Sequence, residues 1–364
     1  MGFDQLIIIL ATAIAAATPL VFAVLGETIT ERAGVINLSA EGTVMFCAMV
    51  GFAVAHAAAV AITGAEDATG AGFWMRYGIV ALGLIAAAIA GAVIALVVAY
   101  GAITLRQSQV AVGFVMALLF SDLSSFLGNP VVRVPGPTTP SFPIPVLKDI
   151  PVLGPLFFQS NLLVYASYLL IFATWVYFYR TRNGLMLRAI GEQPNAAFAR
   201  GANVVRQRYL YTLIGGALMG IAGAAFSLDI KAGWSYRHTG GYGWIALAIV
   251  IFGGWNPLRA AFGAYLFGVL QSLASVAQDR VQGIPTQVFT VAPFVLMILV
   301  LVLTSGEWLD RLLSIFPVQT RRSILRAIRS HHLHRWGEHL SKIDRNFSSL
   351  IFLFAFHDII VQCK

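Results

Sequence analysis

The chain has 364 residues, 58% of them hydrophobic and only 11% charged, with a formal net charge of +8 at pH 7. Soluble domains carry about 25% charged residues. So apolar a composition cannot cover a water-facing surface, which excludes an ordinary soluble domain and leaves the lipid bilayer as the solvent that fits.

In hydrocarbon every backbone N–H and C=O must be paired within the protein, so the choices are helices or a closed barrel. Barrel strands alternate apolar and polar residues. Here the apolar runs are continuous, as in YGIVALGLIAAAIAGAVIALVVAYGAI from Tyr77 to Ile103, long enough to span as a helix. The predicted fold is an all-α polytopic membrane protein.

In chain order, the first span runs from Phe3 to Leu25 and the second from Ile36 to Ile62. The first basic residue is Arg32. A secretory signal opens with a basic segment, so the first span is expected to be retained. The third covers Tyr77 to Ile103, the fourth Ser108 to Leu127, the fifth Asn161 to Tyr179 and the sixth Tyr209 to Leu228. Gly240 to Gly254 is apolar but short and precedes Trp255-Asn256-Pro257; Leu258 to Val276 and Val288 to Thr304 have full length. The small-residue spacing in GGALMGIAGAAF, Gly215 to Phe226, predicts close helix packing.

Orientation follows basic residues in short loops. Residues 180–208 hold six arginines against one acid, Glu192, and are placed in the cytoplasm. Residues 128–158 hold one Arg, one Lys, one Asp and eight of the chain's 14 prolines, so this segment cannot be a spanning helix and is placed outside. It is either an ordered cap or a long connector. Counting back puts the N-terminus outside. The tail from Pro317 to Lys364 has eight Lys and Arg against three acids and is placed inside. Parity then requires nine crossings, with Gly240 to Gly254 crossing as a broken helix. A re-entrant hairpin there gives eight.

Charges within a membrane are costly and read first as functional. The candidates are Glu27, Glu31, Arg32, Glu41 and Asp122. The segment GETITERAGVINLSAEG, Gly26 to Gly42, joins two spans with three acids, an Arg and an Asn. It reads either as a broken helix presenting polar groups to a pathway or as a short loop with Glu31 and Arg32 solvated. Glu41 stands one turn after Asn37, and both are assigned to the translocation path or to helix locking. Asp122 either shares that role or packs against Ser124 or Ser125.

In NGLMLRAIGEQPNAAFARGANVVRQRY, Pro194 can open a helix and Gly201 can close it. Between them lies one short amphipathic helix in which Phe198 is the bulky side chain. It can dock into a groove on a soluble partner or lie on the lipid surface. No Lys follows a Gly anywhere, so a phosphate-binding GK[ST] loop is absent, and neither HExxH nor GxSxG occurs. No enzymatic constellation is found. The cysteines, Cys47 and Cys363, form neither a disulfide framework nor a zinc pattern. His331 to His334 in the basic tail read as solvated, with no metal or other cofactor expected.

Three segments carry a family resemblance: ERAGVINLSAEGTVMFCA (Glu31 to Ala48), RAIGEQPNAAFARGANV (Arg188 to Val204) and GWIALAIVIFGGWNPLRAAFGAYLFG (Gly243 to Gly268). Together, in this order and spacing, they resemble the transmembrane permease of an ABC importer of the branched-chain amino acid/simple-sugar type. The match is best with the shorter permease of nucleoside and simple-sugar systems. The resemblance spans roughly residues 5 to 315 and implies two inverted halves of helices, one helix short at the N-terminus. It implies that residues 191–201 form a coupling helix seated on a separate ATP-binding subunit, through Gly191, Glu192, Pro194, Ala197, Phe198 and Gly201. It further implies a second, paralogous permease subunit, an extracytoplasmic substrate-binding protein, a bacterial inner-membrane location and no nucleic-acid partner. Residues 1–316 then make the permease domain, and the tail 317–364 departs from the family pattern with no assigned role. A competing reading is a stand-alone secondary transporter that couples transport to protons through its acids.

Overall fold

The fold is drawn from a computed structural model, which describes residues 3–280 apart from 69, and then only residues 288–289, 291–292, 295–296 and 299. The described part is all-α. Ten helices follow one another: α1 (Phe3–Arg32), α2 (Ala40–Thr63), α3 (Phe73–Ala99), α4 (Gln109–Leu127), α5 (Leu162–Arg180), α6 (Arg182–Glu192), α7 (Pro194–Ala199), α8 (Val204–Ala225), α9 (Tyr242–Phe252) and α10 (Pro257–Arg280). Single π turns extend α3 through Thr104 and α8 through Ile230.

Among the described residues seven helices are long and apolar enough to cross a membrane: α1 to α5, α8 and α10. The shorter α9, with 11 residues, is apolar but falls below spanning length. Most of the stretch from Val288 to Thr304 lies outside the described residues, as do His331 to His334 and Cys363.

α8 is the central post, with α1, α2 and α3 packed against it. About 61% of its span is buried, against 22% for α4. Lipid gives no hydrophobic drive between helices, so close approach depends on small residues. A Cβ added at Gly216 would strike Ala95 and the Gly91 carbonyl of α3, and one at Gly220 would strike the Ala87 carbonyl. The glycine row of α8 thus serves packing inside the chain.

The proline-rich segment is an ordered cap. It has short helical turns at Asn129–Val131, Leu147–Asp149 and Gly154–Phe158. Isolated bridges pair Val132 with Trp234, Pro135 with Gly233 and Ser141 with Asn161, and the Arg133 N–H donates to the Trp234 carbonyl at 2.8 Å. Gly136 lies against the Phe52 ring so closely that a Cβ would collide with it.

Candidate functional site

α9 begins after Gly240 (φ 52°) and Gly241 (φ 87°), a left-handed pair that suits glycine. Its first N–H groups have no partner within the helix. Glu41, in the first turn of α2 and only 8% exposed, supplies one. Its Oε1 accepts from the Gly241 N–H at 3.1 Å, and its Oε2 accepts from Gly243 at 2.9 Å and Trp244 at 3.4 Å. A carboxylate also complements the positive end of a helix dipole. Gly243 permits this approach, because a Cβ there would fall on the Glu41 backbone.

The link between α1 and α2 is tied into the core. The Asn37 N–H donates to Glu27 Oε1 at 3.2 Å, and Asn37 Nδ2 reaches Met219 Sδ at 3.6 Å. Asn37 Oδ1 accepts from the Ser39 N–H at 3.2 Å and from the Ser39 hydroxyl, which lies 3.2 Å from Thr43 Oγ1. Glu27, Asn37 and Ser39 are fully buried. Glu27 Oε2 and Glu31 Oε1 are buried, and the two carboxyls are neighbours.

Glu31 and Arg32 are not solvated loop residues. Glu31 accepts a hydrogen bond from the Trp255 indole N–H. The Arg32 guanidinium donates to the Trp255 carbonyl at 3.1 Å, the Gly254 carbonyl at 3.2 Å and Glu192 Oε1 at 3.2 Å. Its side chain is 18% exposed, that of Glu192 68%. The expectation of solvation fails because α1 continues to Arg32, which carries both side chains onto the α9–α10 turn.

Pro194 does occupy the first turn of α7, and Gly201 (φ 86°) follows its end, with the Ala202 N–H bonded back to the Ala197 carbonyl at 3.1 Å. Ala197 is buried in a small cluster with Ile190 and Ala202. Phe198 points away and is 72% exposed. Gly191 packs on the Arg32 backbone with no room for a Cβ, and Arg208 Nε donates to the Ala33 carbonyl at 3.1 Å. Two features escaped the sequence reading: helix α6, whose signal was the buried Leu187 and Ile190 at three-residue spacing, and the Arg32–Glu192 pair, which no local pattern announces.

Asp122 stands apart. It does not pair with Ser124, which donates to the Met45 carbonyl, or with Ser125, which donates to the Ser121 carbonyl. It faces Arg237 at 3.5 Å, both side chains largely exposed. Nearby, His238 contacts the Ser235 carbonyl through Nδ1 at 2.8 Å and Ser227 Oγ through Nε2 at 3.1 Å. Burial lowers its pKa to about 4. A cleft of about 260 Å³ is lined by Thr12, Ser141, Gln159, Ser160 and Asn161 among others.

Among the described residues, seven spanning-length helices, a short helix capped by a buried acid and an arginine-rich segment bearing a protruding phenylalanine describe a multi-pass membrane protein. The chain belongs to the family of branched-chain amino acid transport system permease components, whose profile matches residues 9–301. A Haloferax volcanii protein named as a glucose ABC transporter permease is 37% identical over 269 residues, 72% of this chain and 76% of its own. The Lactococcus lactis nucleoside ABC transporter permease is 31% identical over 312 residues, 84% of this chain and 94% of its own. The Bacillus subtilis guanosine ABC transporter permease is 32% identical over 306 residues, 81% of this chain and 91% of its own. No solved structure matches the chain. The protein is a permease subunit of an ABC importer, resident in the inner membrane, and ATP hydrolysis takes place on a separate subunit. Permeases of this family work with an ATP-binding subunit and a substrate-binding protein.

Proposed function

We propose that this subunit joins a second, longer paralogous permease to form the path for a nucleoside or simple sugar, delivered from outside by an extracytoplasmic binding protein. Residues 1–316 form the permease domain, with nine crossings, the N-terminus outside and the basic tail 317–364 inside. Six arginines against one acid in residues 180–208 support that sidedness. The names of the nucleoside, guanosine and glucose relatives support the substrate class. Asn37 and Glu41 lock helices beside the path; Asp122, with its exposed side chain, lies at the rim.

The observation that carries the reading is α7. A six-residue helix anchored through Ala197 presents Phe198, 72% exposed, from an arginine-rich segment. Exposed large apolar side chains of this kind act as interface anchors. Gly191 to Gly201 therefore docks in a cleft of the ATP-binding subunit, with Phe198 in the pocket. In proteoliposomes holding the complete importer, Phe198→Asp is expected to leave a folded permease whose ATP hydrolysis no longer drives uptake. Wild-type uptake per ATP in that variant removes the docking assignment. Uptake driven by a proton gradient with no ATP-binding subunit present removes the whole reading.

A further inference from the structure

We propose that Arg32 is a positioning residue that carries motion of the coupling segment to α9, and that α9 is the membrane element the ATP-binding subunit moves. The inference rests on the docking assignment above and goes a step beyond it. It starts from how α9 is held. The helix has 11 residues, about 16 Å at 1.5 Å per residue. At its start the Glu41 carboxylate accepts three backbone N–H groups. At its end the Arg32 guanidinium donates to the carbonyls of Gly254 and Trp255. A negative charge at the N-terminus and a positive one at the C-terminus both complement the helix dipole.

Arg32 ends α1 and Glu41 lies in the first turn of α2, so the two residues that flank the α1–α2 link grip α9 at both ends. Trp255 adds a third tie through its indole N–H to Glu31. The grip extends outward because guanidinium offers five donors in a planar fork. Two directions of that fork reach the α9–α10 turn, and a third, through Nη1, reaches Glu192 at 3.2 Å. Glu192 is the last residue of α6, two positions before α7 begins. Gly191 seats directly on the Arg32 backbone, with no room for a Cβ between them, so the end of α6 cannot move toward the end of α1 without pushing it. A displacement imposed at α7 therefore reaches the α9–α10 turn through Arg32, whose side chain bonds directly to both the end of α6 and that turn.

The test uses the complete importer in proteoliposomes, with uridine and D-glucose as probes and the corresponding binding protein supplied. The readout is uptake per ATP hydrolysed, which a merely destabilised permease lowers together with hydrolysis and does not split. Arg32→Gln is expected to reduce that ratio about tenfold, the size of a lost network interaction. Arg32→Lys is expected to fall between, since an ammonium cannot span three acceptors. Glu192→Gln, an exposed position that removes only the ion pair, is expected to lower the ratio about threefold. The double variant is expected to be no worse than Arg32→Gln alone. An unchanged ratio in Arg32→Gln, or a double variant whose losses multiply, overturns the proposal. If Arg32→Gln fails to assemble, Glu192→Gln decides: a lowered ratio supports the relay and a wild-type ratio overturns it. Phe198→Asp uncoupled alongside a normal Arg32→Gln sinks the relay and leaves the docking assignment standing. Wild-type importer without ATP-dependent uptake of either probe overturns both.

Discussion

Removing the carboxylate at position 41 is the most direct probe of how α9 is held. Glu41→Ala strips the acceptor from three backbone N–H groups, those of Gly241, Gly243 and Trp244. The Gly243 end of the contact is buried, so water cannot readily replace the carboxylate there. A hydrogen bond to a charged group contributes about 1.5–3 kcal/mol, and an orphaned buried donor costs about 1–3 kcal/mol. These figures describe the same loss from two sides and do not add. Counting the 2.9 Å and 3.1 Å bonds as the strong pair and the 3.4 Å one as weak gives about 3–5 kcal/mol for Glu41→Ala. Glu41→Gln keeps one acceptor oxygen and the volume, losing the charge and one oxygen's bonds, about 2–3 kcal/mol. Thermal unfolding of the purified subunit in detergent micelles measures both. The expected order is wild type, then Gln, then Ala, with Ala the larger step. Equal melting temperatures for Gln and Ala, or an Ala variant as stable as wild type, refute the capping argument.

Two other predictions follow from buried titratable groups. Burial holds His238 at a pKa of about 4, below the ordinary histidine value of 6.5. Its neutral form is therefore the folded one, and an unfolded chain binds the proton first as pH falls. Stability is fully present above about pH 6.5 and declines toward pH 4, by on the order of 3 kcal/mol at most. Replacing His238 with Gln should flatten that part of a melting-temperature-against-pH curve, and an unaltered slope would count against it. Glu27→Gln should be tolerated within about 1 kcal/mol, because an amide oxygen can still accept the Asn37 N–H while its NH₂ can donate to the neighbouring Glu31 carboxyl. ATP-driven uptake by that variant should persist; its loss with hydrolysis intact would point to a proton carried by the acid pair.

The spans were legible because lipid leaves so few options for backbone hydrogen bonds. Continuous apolar runs marked α1 to α5, α8 and α10, and Pro194 with Gly201 marked α7 to within a residue. Less legible was everything that depends on which helices meet. Glu41 could be flagged as a costly charge from its place in an apolar run. That its partners lie 200 residues away, in the first turn of α9, is a fact of packing with no local signature. The same holds for Arg32, whose acceptors are some 220 residues distant at Gly254 and Trp255. Its charge read as loop because the sequence places the end of the first span at Leu25, whereas the helix runs on to Arg32.

The geometry around Glu41 also bears on how this permease is driven. The start of α9 is buried among helices, where N–H groups without a partner are costly, so it needs a polar cap of its own. Both oxygens of Glu41 are committed to that task. An acid so engaged has no free oxygen on which to load and release a proton without undoing the start of α9. Asp122 offers no alternative, since it pairs with Arg237 on an exposed surface. Among the described spans that leaves Glu27, Glu31 and Asp229 for proton coupling; Glu31 is already bonded to the turn that Arg32 grips, and Asp229 accepts from Asn161 Nδ2 at 2.5 Å. Glu41 and Glu31 hold the two ends of one helix, an arrangement that suits a driving force arriving from outside it, by way of the coupling segment.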